Sequence, residues 1–111
     1  MKVVSLVPSI TETLFDLGLT SDEIVGRTKF CIHPKELVKD VEIIGGTKNL
    51  NIEKIKALKP DLIIANKEEN VKEQVEELMK DFKVLLTNVE TLEDNYYLIK
   101  QLGHIFGKEE K

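Results

Sequence analysis

The apolar residues of this chain fall into two patterns, short unbroken runs and longer stripes at helical spacing, and the two alternate. Leu62 to Ala65 is the clearest run, entered through Pro60-Asp61 and left through Asn66-Lys67-Glu68-Glu69. A strand with one wet face would interleave polar residues. An unbroken apolar run predicts a strand covered on both faces, as in parallel sheets. Pro60 has no N–H and disfavours helix at Lys59, so it closes the preceding helix. Asn70-Val-Lys-Glu73 has the form of a capping box and predicts the next helix start.

The same alternation runs through the rest of the chain. Val3–Val7 predicts a first strand closed by Pro8-Ser9. Ser9-Ile-Thr-Glu12 is a second capping-box pattern, followed by Ile10, Leu14 and Leu17 on one face and Gly18 as the stop. Ile24–Thr28 predicts a strand, Lys29–His33 a loop, and Pro34 a short helix running through Val38. Val41–Ile44 predicts a third strand ending at Gly45-Gly46. Asn51 is placed to cap a helix carrying Ile52, Ile55 and Leu58. Val71, Val75, Leu78, Met79 and Phe82 form an amphipathic stripe, Val84–Thr87 a fifth strand. Thr91-Leu-Glu-Asp94 caps a last helix with Leu92, Tyr96, Ile99, Leu102 and Phe106 inward and Gly107 as its stop.

Strands alternating with helices predict an α/β fold of three αβα layers, with a mostly parallel sheet of about five strands and right-handed crossovers. Residues 1–111 read as a single α/β domain. The loops after the strands then share one edge: Pro8-Ser9, Lys29–His33, Gly45–Asn51, Asn66–Glu69 and Asn88–Thr91. Ligands of open α/β sheets bind along that edge, near the point where strand order reverses. Helix N-termini, with unpaired N–H groups and partial positive charge, point at it too.

Composition narrows the class. The 111 residues are 41% hydrophobic and 32% charged, ordinary globular material, and the net charge of -4 without a basic stripe argues against a nucleic-acid partner. The single cysteine, Cys31, excludes an internal disulfide and a multi-cysteine metal site. No run approaches the ~20 apolar residues of a membrane span. Met1-Lys2 leads straight into the first strand, with no secretory signal, so the chain as written is expected to be cytoplasmic. Gly45-Gly46-Thr47-Lys48 lacks Walker spacing, no glycine fingerprint follows the first strand, and no Gly-x-Ser-x-Gly occurs. The expectation is a binding module rather than an enzyme.

Few side chains on the edge carry chemistry. Cys31 and His33 stand two apart, so in an extended loop a thiolate and an imidazole share a face and can reach one metal-bearing ligand. The plain alternative is a packed cysteine beside a half-exposed histidine. Phe30, an aromatic in an edge loop, suits stacking on a flat ligand. Asn66 to Asn70 reads either as a solvated loop and cap or as a polar lining of the edge. Glu53, one turn after Asn51, is accounted for by the helix dipole or by a docking contact with a partner's arginine. His104, near the end of the last helix, fits the dipole.

Taken together, Val4-Ser-Leu-Val-Pro-Ser-Ile-Thr-Glu12, Phe30-Cys-Ile-His-Pro34, Gly46-Thr-Lys-Asn-Leu-Asn-Ile-Glu53 and Leu58-Lys-Pro-Asp-Leu-Ile-Ile-Ala65 resemble one family. It is the ABC-transporter substrate-binding proteins whose two α/β lobes are joined by one long helix, the carriers of vitamin B12, haem and iron–siderophore complexes. The chain is similar to the N-terminal lobe over essentially its whole length. The resemblance implies a corrinoid, haem or iron chelate as ligand, with Pro8, Ser9, Phe30, Cys31, His33, Asn66 and Lys67 on the cleft wall. It places Glu53 at the family's acidic spot for docking on the membrane permease. Cobalamin carriers tend to have a tryptophan where this chain has Asn66. One lobe offers half a cleft, so a second copy in a homodimer is an expected source of the other wall. The rival expectations are a cytosolic corrinoid- or chelate-sensing protein of the same fold, and a small flavodoxin-like enzyme.

Overall fold

The protein is described by a computed structural model covering residues 2–20, 22–29, 39, 41–46, 48–67, 70–87 and 92–106. In chain order the elements are β1 (Val3–Ser5), α1 (Pro8–Asp16), β2 (Ile24–Arg27), β3 (Glu42–Ile43), β4 (Gly45–Gly46), β5 (Asn49–Leu50), α2 (Ile52–Leu58), β6 (Leu62–Asn66), α3 (Lys72–Met79), β7 (Val84–Thr87) and α4 (Leu92–Phe106). The short helix expected from Pro34 to Val38 lies outside the described residues.

Five strands form one sheet in the order β3-β2-β1-β6-β7, and every neighbouring pair is parallel. The chain therefore builds outward from β1 to β3 on one side, then returns to lay β6 and β7 on the other. The strand order reverses between β1 and β6, paired through Val3–Leu62, Val4–Ile63 and Ser5–Ile64.

The apolar runs are explained by burial on both faces. Val3, Leu62 and Ile64 join Ile10, Leu14, Leu98 and Leu102 in a core beneath α1 and α4. Their immediate neighbours Val4, Ile63 and Ala65 join Ile55, Val75 and Leu78 in a second core beneath α2 and α3. Successive strand side chains point to opposite faces, so Leu62 to Ala65 must be apolar throughout. All five residues of β6 are buried. The fold class expected from the sequence is the one observed.

Local boundaries differ in instructive ways. Ser9 does not cap α1: the N-cap is Val7 and Pro8 opens the helix, where a fixed φ and a missing N–H carry no penalty. The Gly45-Gly46 pair does not merely end the third strand. Gly45 and Gly46 pair antiparallel with Leu50 and Asn49 in a separate two-stranded hairpin. Gly45 has φ +112, and a Cβ there would collide with the Asn49 carbonyl oxygen. Asn51 caps α2 as expected, its Oδ1 accepting from the Lys54 N–H at 3.1 Å. Lys59 closes α2 in the left-handed region at φ 50, just before Pro60.

Candidate functional site

The edge on which the strands end is held by buried polar side chains. Asn66, the last residue of β6, is 8% exposed, and Asn70 and Thr87 are buried as well. The Asn70 Oδ1 accepts from the Asn66 N–H at 2.8 Å, while the Asn70 Nδ2 donates to the Leu6 carbonyl at 3.1 Å. The Asn70 N–H in turn donates to the Asn66 carbonyl at 3.0 Å, closing the turn. Asn66 Nδ2 donates to Thr87 Oγ1 at 3.3 Å, and that hydroxyl donates to the Ala65 carbonyl at 2.8 Å. The Lys67 N–H reaches the Thr87 carbonyl at 2.9 Å. The exits of β1, β6 and β7 are thus tied to one another.

On the β1 side the Thr11 hydroxyl donates to Ser5 Oγ at 2.9 Å, and Ser5 Oγ donates to the Val7 carbonyl at 3.1 Å. This fixes the Leu6–Val7 turn against α1. Among the described residues no buried side-chain nitrogen or oxygen lacks a hydrogen-bond partner. An unpaired buried polar group costs about 1–3 kcal/mol, so completeness here is a condition of stability.

Pro8, Asn66 and Lys67 are brought to neighbouring strand exits by this frame. Pro8 is half-buried and Lys67 exposed. Asn66 turns its amide inward to Thr87, so it meets the edge mainly through its backbone and the turn it starts. Asn66, Lys67 and Asn70 line a groove of about 470 Å³ together with Val75, Met79 and Leu86. Ser9 lies in the first turn of α1. Phe30, Cys31 and His33 lie outside the described residues.

Glu53 is set apart from these residues. It is exposed in the first turn of α2 and borders an open depression of about 440 Å³ with Gly45, Asn49 and Asn51. The helix start carrying it is pinned to the β3 edge. Lys54 Nζ bonds the Ile43 carbonyl at 3.2 Å and pairs with Glu42 Oε1 at 3.1 Å. His104 falls in the last turn of α4. Among the described residues no cluster of three or more His, Cys, Asp or Glu is placed to hold a metal ion, and no helix is long and apolar enough to cross a membrane.

A parallel three-layer sheet with a polar-framed edge at its strand-order reversal is the architecture of a ligand-binding α/β protein. Residues 3–111 match the periplasmic binding protein family, and the chain belongs to it. A Bacillus subtilis relative described as an uncharacterized ABC transporter substrate-binding lipoprotein is 37% identical over 99% of this chain and 35% of its own length. The periplasmic vitamin B12-binding protein BtuF of Vibrio cholerae superposes with a TM-score of 0.84 at 31% identity, over 93% of this chain and 40% of that one. A periplasmic haem-binding protein from Pseudomonas aeruginosa gives 0.89 at 26% identity, over 98% and 39%. The chain therefore spans well under half the length of the proteins it matches.

Proposed function

We propose that the chain is the N-terminal ligand-binding lobe of an ABC-transporter substrate-binding protein, a single α/β domain that carries a metal chelate of the corrinoid, haem or iron-siderophore type and is not an enzyme. The observation that carries this reading is the whole-chain similarity to proteins named for vitamin B12 and haem binding, at TM-scores of 0.84 and 0.89. Both ligands are large, flat and metal-bearing. Among them the corrinoid is favoured, since the B12-binding structure has the higher sequence identity, 31% against 26%.

In this mechanism the ligand lies against the strand exits. Pro8 and Lys67 form the wall, Ser9 and the turn begun by Asn66 donate or accept hydrogen bonds, and Phe30 stacks on the macrocycle. His33 or Cys31 offers a direct contact to the metal. The opposite wall comes from a second lobe or from a second copy of this lobe. The exposed Glu53 carboxylate then docks the loaded protein on a permease arginine, outside the cytoplasm as the family's name implies.

The test is a visible-absorbance titration of the purified chain with cyanocobalamin, cobinamide and haem. A saturable spectral shift with one of them, lost in Phe30→Ala, is expected. No shift with any of the three would overturn the proposal for this lobe on its own.

A further inference from the structure

We infer that Asn70 is a positioning residue of the ligand wall, locking the turn after β6 to the exit of β1 across the point where strand order reverses. The inference rests on the reading of this edge as the ligand face. One amide group performs both halves of the lock. Its oxygen accepts from the Asn66 N–H at 2.8 Å and its nitrogen donates to the Leu6 carbonyl at 3.1 Å, joining residues 64 positions apart. Asn70 is only 5% exposed, so water cannot readily replace either bond.

Below the lock, β1 and β6 are joined by backbone pairing as far as Ser5–Ile64 and by the Leu6 N–H to the Ile64 carbonyl at 2.9 Å. Above it the two chains part, β1 into Pro8 and α1, β6 into Lys67 and its turn. In a parallel sheet this divergence is what opens a crevice at the reversal. Asn70 bonds both segments where they part, and in this proposal it sets how far Pro8 and Lys67 stand apart. A large rigid ligand needs that separation fixed before it arrives, because ordering a wall on binding subtracts from affinity. The lock needs one acceptor and one donor at this reach, which the asparagine amide supplies without a change of protonation. Aspartate has only acceptors when ionised, and glutamine is a methylene longer.

The experiment compares wild type, Asn70→Ala, Asn70→Asp and Leu102→Ala. Leu102, a fully buried residue of α4, packs in the core on the other face of the sheet, so its truncation lowers global stability without touching the lock. Two readouts are taken: amide hydrogen exchange at Asn66, and affinity for cyanocobalamin, cobinamide and haem by absorbance. Asn70→Ala is expected to speed exchange at Asn66 beyond the change in global stability and to weaken binding about tenfold. Asn70→Asp keeps the acceptor and loses the donor, so Asn66 stays protected while affinity still falls. Leu102→Ala retains local protection and affinity at temperatures where it is folded. Unchanged Asn66 exchange in Asn70→Ala would overturn the lock. Normal affinity in both Asn70 variants, with exchange altered, would overturn its role in the ligand wall. Absence of binding by wild type would overturn the underlying ligand reading and the wall role with it, leaving exchange to judge the lock alone.

Discussion

Truncating Ile63 to alanine tests whether the central strand is buried on both faces as described. Ile63 is fully buried, packs with Val4, Ile55, Val75 and Leu78, and is paired on both sides, with Val4 of β1 and Val84 of β7. Removing three carbon atoms from such a site costs their transfer free energy and leaves a cavity that neighbours cannot fill, about 2–5 kcal/mol for isoleucine to alanine. Paired strands on both flanks restrict backbone collapse, so the loss belongs near the middle, about 3 kcal/mol. For a domain of this size that lowers Tm by roughly 10–20 °C. Ile64→Ala, fully buried against the opposite core, should cost a similar amount. Ile43 on the edge strand β3 is 42% exposed, and its truncation should cost under about 1 kcal/mol. Urea unfolding followed by circular dichroism measures all three variants. Equal, small losses at Ile63 and Ile43 would refute the two-faced burial of β6.

Four further outcomes follow. Gly45→Ala should destabilise by about 1–3 kcal/mol, because an L side chain at φ +112 is strained and its Cβ meets the Asn49 carbonyl; thermal melting reads it. Asn51→Ala removes the α2 cap and should cost about 1 kcal/mol in urea unfolding. Thr87→Val keeps shape but leaves the Ala65 carbonyl and the Asn66 amide without their hydroxyl partner, about 1–3 kcal/mol by the same assay. Glu53→Ala should leave stability within about 0.5 kcal/mol, since the side chain is exposed, while weakening capture of permease-containing proteoliposomes.

The layers of the fold are legible in the sequence because burial on both faces leaves a composition that few other environments produce. Leu62–Ala65 announces β6 without any neighbour in view, and Val84–Thr87 announces β7 to the residue. Asn51 reads correctly as a cap because its partner, Lys54, is three residues away. Asn70 opens an Asn-x-x-Glu capping-box pattern and does something else. Val71 occupies the N-cap of α3 without a side-chain bond, and the Asn70 amide bonds Asn66 and Leu6 instead. A partner 64 residues away leaves no trace in local spacing. The hairpin of Gly45-Gly46 with Asn49-Leu50 is hidden for a related reason: two-residue strands have no periodicity to read. Ser9 loses its cap role to Val7 because Pro8 is better suited than any residue to open a helix. Of the candidate site, strand order alone brings Pro8, Asn66 and Lys67 to one edge. The inward turn of the Asn66 amide depends on Thr87 and is visible only in three dimensions.

In the proposed function a metal chelate binds along this edge, at the reversal of strand order. Mapping backbone amide shifts during titration with cyanocobalamin, cobinamide and haem tests it most directly. Saturable shifts are expected for one of them at Leu6, Val7, Ser9, Lys29, Lys67 and Asn70. None is expected at the other end of the sheet, where the Lys2 N–H is clasped to the Asp61 carboxylate at 2.7 Å. Shifts concentrated around Lys2, Glu23 and Asp61, or no saturable shift with any of the three ligands, would contradict it.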